Sequence, residues 1–212
     1  TEAVSIIDTG DIGNLLQVTA YGHTNLSTNS HLLDAVSLLA RSNVRWVFGE
    51  MESDEAAESN NDLKGNGYLA YDNGVRAYVR SMECGPAYWE FDVLGTKGRI
   101  CLLNNGQQGE LIRLENPEPD SRGFRSSSRG SRGLPAKYIF PMPARMQGLG
   151  LTIIEDLVGS IEGNRQPLCS GEDGREALET TIAMRESHRK GGIKVRLPLA
   201  DRSLKVLSSE IV

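Results

Sequence analysis

Apolar residues recur along the chain with two spacings, one helical and one strand-like, and the spacing changes where glycine and asparagine cluster. Val4, Ile6 and Ile7 precede Gly10 and Gly13, so the opening reads as a helix end, and LLQVTAY follows as a strand of β-branched and aromatic residues. In HTNLSTNSHLLDAVSLLARSN, Leu32, Val36, Leu39 and Ala40 fall at i, i+4, i+7 and i+8, which is one face of an amphipathic helix. Ser27, Thr28 and Asn29 are its N-cap candidates, because each side-chain oxygen can accept from an orphan amide of the first turn. The helix is predicted to end near Asn43, with VRWVFGEM returning as a strand.

Residues 53–66 are acidic and poor in β-formers, which predicts a mobile surface loop. The period then becomes two. Asn73-Gly74 separates two strand-like runs, a hairpin signal resting on the positive φ that both residues tolerate. AYWEFDVLG alternates, with Trp89, Phe91 and Val93 on one face, and G-T-K-G leads into RICLL, Asn105-Gly106 and ELIRL. These are the strands of an antiparallel meander with one face buried. Residues 116–135 break the pattern with Arg122, Arg125, Arg129 and Arg132 among Gly and Ser, a second expected mobile loop, solvated or a cationic lid.

Two helices close the chain. Met146, Leu149, Ile153, Leu157 and Ile161 form a stripe in the first, which is predicted to start after Pro143 and stop at Gly163-Asn164. The second opens on Ser170-Gly171-Glu172-Asp173, a capping-box spacing, and stops at Gly191-Gly192. IKVRLPL is a last strand that Pro198 ends at a sheet edge. The expected fold class is α+β, a predominantly antiparallel, mixed open β-sheet with helices packed on one face.

Charge and composition narrow the function. The 212 residues carry 23 Lys+Arg against 28 Asp+Glu, a net charge of −5, which argues against nucleic acid or an anionic membrane as partner. No run approaches the roughly 20 apolar residues of a membrane-spanning helix, and the opening lacks the pattern of a secretory signal. Cys84, Cys101 and Cys169 are odd in number and far apart, which suits small buried side chains in a reducing cytoplasm and no metal site. Neither G-x-G-x-x-G after a strand, nor G-x-x-x-x-G-K-[ST], nor G-x-S-x-G occurs, so the chain itself offers no cofactor-binding or nucleophile motif.

Of the three histidines, His188 suits the negative end of its helix and His23 a polar loop. His31 stands near a helix start, where the positive end of the macrodipole favours a neutral imidazole able to accept a proton. Asp34 follows at i+3 on the same helix face, so the pair suits either general-base work on a hydroxyl or a local hydrogen bond at a helix terminus.

Four stretches, IIDTGDIGNLLQV, SHLLDAVSLL with VRWVFG, VLGTKGRICLLNNG and SGEDGREALETTIAMRESHRKGGIKVRLPL, resemble the C-terminal domain of the Gfo/Idh/MocA oxidoreductases. The resemblance spans nearly all of residues 1–212 and implies the substrate-binding and oligomerisation half of an NAD(P)-dependent enzyme acting on a sugar, inositol or related polyol. In that family a Rossmann domain precedes this one and holds NAD or NADP, and a start at Thr1 agrees with a longer chain whose first half is absent here. The family's helix-start histidine, which faces nicotinamide and substrate, matches His31, and its following aspartate matches Asp34. The acid that often stands four residues before the histidine is Ser27 here, which leaves substrate and direction open. Asn29 is a substrate-contact candidate. With helices on one face only, the alternating Ala77/Val79 and Trp89/Phe91/Val93 are expected to supply apolar surface for a homo-oligomer formed through the open sheet face, as the resemblance also implies, and the cysteine usage predicts a cytoplasmic location. Two alternatives stand beside this reading. One is a non-catalytic sugar-sensing or assembly domain that kept the fold; the other is a relative that cleaves glycosides with NAD.

Overall fold

A computed structural model of the chain describes residues 2–22, 25–62, 64–82, 89–115, 134–142 and 149–207. The chain order is α1 (Glu2–Asp8), β1 (Leu15–Tyr21), α2 (Leu26–Ala40), β2 (Val44–Met51), α3 (Asp54–Glu58), β3 (Gly65–Tyr71), β4 (Arg76–Arg80), β5 (Glu90–Gly95), β6 (Gly98–Leu103), β7 (Gln108–Glu115), β8 (Leu134–Ile139), α4 (Leu149–Glu162), α5 (Gly171–Arg189) and β9 (Val195–Arg196). Several boundaries sit where local chemistry dictates. Gly74 takes φ +93° in the β3–β4 hairpin, and Asn104, Asn105 and Gly106 take φ of 51°, 55° and 75° between β6 and β7. At α5 the Ser170 hydroxyl accepts from the Asp173 amide while the Asp173 carboxylate accepts from Ser170, a complete capping box.

The nine strands form one sheet in the order β8-β7-β6-β5-β1-β4-β3-β2-β9. Neighbours run antiparallel except β1 and β4, which are parallel, so β1 is inserted between β4 and β5 and the expected meander is interrupted. One row of cross-strand partners, Val47, Leu69, Ala77, Val18, Val93, Ile100 and Leu111, crosses seven strands and is nowhere more than 3 % exposed. Burying each such side chain contributes about 1.5–3 kcal/mol. The adjacent row, Phe48, Tyr68, Tyr78, Thr19, Asp92, Cys101, Glu110 and Ile139, lies on the opposite face. Ala77, Val79, Phe91 and Val93 are therefore core residues on the helix-covered face and not the open surface the sequence suggested. The open face is instead aromatic at one end, where Trp46, Phe48, Tyr68 and Tyr78 pack with ring centroids 5.0–6.3 Å apart.

α2 and α5 lie against each other and cover the β1 to β4 half of the sheet. α5 approaches β2 closely because Gly49 has no side chain; a Cβ there would collide with the Met184 backbone. Ile12 fills the corresponding place over β5 and β6, beside Gly95 and Gly98, and Phe140 covers Gly109 of β7. Glu179, buried on α5, accepts from Arg175, Arg202 and the Leu199 amide at 2.6–2.8 Å and so fixes the segment after β9.

Three expectations change. The acidic stretch 53–66 holds α3, capped by Ser53 and docked on α5 by Asp54 to His188 and Glu58 to Arg189, tertiary contacts that its composition does not reveal. The N-cap of α2 is Asn25, so Ser27, Thr28 and Asn29 lie inside the helix. Of the Arg-rich stretch 116–135, residues 116–133 lie outside the described residues, and Leu134 and Pro135 belong to β8.

Candidate functional site

β1 and β4 run parallel and end side by side, with the Gly22 amide donating to the Arg80 carbonyl at 2.9 Å. α2 starts just beyond β1, so its first turns stand at the carboxyl ends of these two strands, the end of a parallel pair where open sheets form ligand crevices. His31 occupies the second turn of α2 and is exposed. That is one turn further in than the sequence suggested, and the macrodipole effect fades beyond the first turn.

Trp89, just ahead of β5, completes this corner. Its ring centroid lies 6.2 Å from that of His31 at an interplanar angle of 37°. The Asn105 turn clamps the Trp89 backbone: Trp89 N–H donates to Asn105 Oδ1 at 2.7 Å, and Asn105 N–H donates to the Trp89 carbonyl at 3.1 Å. Gly22 makes room beneath it. A Cβ on Gly22 would stand 3.0 Å from Leu32 Cδ2 and 3.2 and 3.3 Å from Trp89 Cδ1 and Nε1. The space beside Gly22 is thus filled by protein. Sequence reading placed Trp89 on a strand face and missed this role, because the register and the Asn105 clamp are tertiary.

Asp34 lies one turn after His31 and is half-buried. Burial pushes its carboxyl above the usual aspartate range, the Cys169 thiol donates a hydrogen bond that pulls it back, Asp173 raises it, and His31 lowers it least. Asp34 and Asp173 line one cavity at the entry of α5, while the influence of His31 on Asp34 is electrostatic. Cys169 is exposed and free, and Cys101 is half-buried and free, so neither is the buried hydrophobe expected; Cys84 lies outside the described residues. Burial raises the Cys169 thiol, and the negative charge of Asp34 raises it further. Beyond Asp34 a polar cavity of about 570 Å³ opens between α2 and α5, lined by Ser37, Arg41, Asp173, Glu176 and Arg202 among others. His31 stands outside it. Ser27 and Asn29 share the first turn of α2, but their side chains, like all of His23, lie outside the described residues.

His188 has a different task. Its Nδ1 accepts from the Met51 amide at 3.1 Å and its Nε2 meets Asp54 Oδ1 at 2.9 Å, so it joins α5 to β2 and α3. Among the described residues no group of three or more His, Cys, Asp or Glu could hold a metal, and no helix is long and apolar enough to cross a membrane.

Residues 22–197 match the family model described as the C-terminal alpha/beta domain of an oxidoreductase family. The chain belongs to the Gfo/Idh/MocA oxidoreductases and carries their C-terminal domain. No curated protein matches it. Among solved structures, a levoglucosan dehydrogenase in complex with NADH and levoglucosan superposes with a TM-score of 0.65 at 17 % identity over 93 % of this chain and 62 % of its own. An NAD-binding protein from Listeria innocua gives 0.62 at 17 % over 92 % and 62 %. The aldose-aldose oxidoreductase from Caulobacter crescentus complexed with glycerol gives 0.61 at 18 % over 92 % and 59 %. These likenesses show the fold, and the chain spans about 60 % of the length of those proteins.

Proposed function

We propose that this chain is the substrate-binding half of an NAD(P)-dependent oxidoreductase acting on a sugar, inositol or related polyol, with His31 as the residue that moves the hydroxyl proton. One observation carries the reading. An exposed imidazole, free of protein hydrogen bonds among the described residues, stands beside a clamped indole at the carboxyl ends of two parallel strands. Bound NAD(P) supplies the hydride chemistry. The sequence carries neither of the glycine-rich phosphate-binding motifs, and in this reading the cofactor is held by a Rossmann domain preceding this one, in keeping with relatives whose chains are longer.

The work left to these residues is positional. A ring nitrogen of His31 takes the proton of the reacting hydroxyl in oxidation, or returns it in reduction, from within hydrogen-bond reach. Trp89 presents an apolar face against which the C–H face of a sugar ring can lie, which sets the hydroxyl toward His31. Asp34, one turn further along α2, keeps negative charge near the imidazolium that proton uptake creates. Ser27 and Asn29 stand in the preceding turn as polar contact candidates.

Self-association through the open sheet face belongs to the same proposal. Its aromatic end and the exposed Leu94 and Leu114 form the surface, with a cytoplasmic location supported by the free thiols. Co-expression with the nucleotide-binding half, followed by nicotinamide absorbance with a polyol panel, tests the catalytic part; turnover of at least one polyol is expected, and no turnover of any refutes it. A second reading, a sugar-binding domain without catalysis, is favoured by His31 being the smallest of the influences on the Asp34 carboxyl. Calorimetry that finds sugar binding without turnover would select it.

A further inference from the structure

The two Asn-Gly pairs of the sequence both mark hairpin turns, and the structure gives their asparagines different work. Asn73 serves its own turn and the end of α2: its Oδ1 accepts from the Val75 amide at 3.1 Å, and its Nδ2 donates to the Ala40 carbonyl at 2.8 Å. Asn105 does not. Its turn is closed by the backbone, with Gln107 N–H donating to the Asn104 carbonyl at 3.1 Å, while its Oδ1 reaches 16 residues back to the Trp89 amide at 2.7 Å.

The turn alone does not call for asparagine at 105. Its φ of 55° lies in the left-handed region, which glycine enters without the steric cost that a side chain meets. Glycine would close the same turn, so what asparagine adds is one carbonyl oxygen, and that oxygen goes to Trp89. The bond falls where the sheet stops helping. The last β5–β6 pair is Phe91 with Leu102, so Trp89 lies past the end of that ladder. Among the described residues both of its backbone hydrogen bonds go to Asn105, the amide to Oδ1 and the carbonyl from the Asn105 amide at 3.1 Å. The Trp89 ring in turn lies 6.2 Å from that of His31. The direction from which the indole meets the imidazole therefore depends on a side chain in the β6–β7 turn.

We propose that Asn105 is a positioning residue of this site: its side-chain carbonyl holds Trp89 beside His31, and through Trp89 it orients the substrate hydroxyl for proton transfer. The catalytic part rests on the oxidoreductase reading above; the clamp itself is read without activity. The full-length protein labelled with fluorotryptophan is compared as wild type, Asn105→Gly and Asn105→Asp, with the Trp89 line assigned by its loss in Trp89→Phe. Asn105→Gly keeps the turn and removes the acceptor, whereas Asn105→Asp keeps an acceptor oxygen. Fluorine NMR is expected to show one Trp89 line at nearly the same shift in wild type and Asn105→Asp, and a displaced or broadened line in Asn105→Gly. Misplacement by about 1 Å costs on the order of a hundredfold in rate, so loosening by about half of that predicts a fall in kcat of about tenfold in Asn105→Gly. KM should change by less than about threefold, because the indole still offers its face, and Asn105→Asp should restore kcat to within about twofold of wild type. An unmoved Trp89 line in Asn105→Gly overturns the proposal. So does a line that moves alike in both variants, since the acceptor oxygen is then not what holds the indole. A moved line with wild-type kcat removes the positioning role. A wild-type protein that oxidises no polyol sinks the oxidoreductase reading, and the Trp89 line then decides the clamp by itself.

Discussion

Gly22→Ala probes the corner where β1, α2 and Trp89 meet. The added Cβ would stand 3.0 Å from Leu32 Cδ2 and 3.2–3.3 Å from the Trp89 indole, against an ordinary carbon contact of about 3.5–4.0 Å, a shortfall of roughly half an ångström. Leu32 is fully buried and cannot yield, so the half-buried indole moves. Overpacking costs about 1–3 kcal/mol, and the entropy that alanine removes from the unfolded chain returns about 0.4–1 kcal/mol, leaving a net loss near 1 kcal/mol. Misplacement by about 1 Å costs on the order of a hundredfold in rate, so half of that predicts a fall in kcat/KM of about tenfold. The chain has two tryptophans, and a Trp46→Phe background leaves Trp89 as the sole emitter. Urea titration, Trp89 emission and polyol turnover then read stability, indole position and function separately. Unchanged emission together with unchanged kcat/KM would refute the seating of Trp89 over Gly22 and the role drawn from it.

Other residues give independent checks. His188→Ala leaves the Met51 amide without its acceptor and is predicted to cost about 1–3 kcal/mol in urea unfolding, with polyol binding intact. Ser170→Ala removes the capping box of α5 and is predicted to cost about 0.5–2 kcal/mol, visible as a lower unfolding midpoint. The Leu168 amide, then the Arg165 guanidinium, hold the Asp156 carboxyl below its usual value near 3.8. A depressed acid contributes stability above its unfolded value and loses it as pH falls through the folded one. The Leu168 amide is therefore predicted to lose exchange protection only below about pH 4, and protection persisting in Asp156→Ala would contradict the assignment.

Much of the fold was legible because local chemistry sets it. The Asn73-Gly74 hairpin, the Asn105-Gly106 turn and the Ser170 capping box each need particular residues at particular φ or hydrogen-bond positions, and those residues stand in the sequence. Strand order was less accessible. A period of two marks β1 and β4 as strands but carries nothing about their parallel pairing, which depends on α2 carrying the chain from β1 to β2 and on β3 and β4 then pairing back toward β1. Ala77, Val79, Phe91 and Val93 were assigned to the open face instead of the covered one for a related reason. Both faces of β2 to β4 carry apolar side chains, so alternation cannot tell the row under the helices from the aromatic row outside.

α3 escaped because Asp54-Glu55-Ala56-Ala57-Glu58 is held by His188 and Arg189 from far along the chain. The site shows the same division. His31 and Asp34 were found by helical spacing, while Trp89 joins them only through the tertiary placement of the segment ahead of β5, and Asp173 only through the packing of α5 on α2.

The most direct measurement of the central claim is kcat for polyol oxidation by the two-domain enzyme and its His31→Ala variant, with polyol affinity determined in parallel by calorimetry. Removing a positioned acid–base residue predicts a loss of about 10²–10⁴ in kcat with affinity little changed. A His31→Ala enzyme that turns over at the wild-type rate would contradict it.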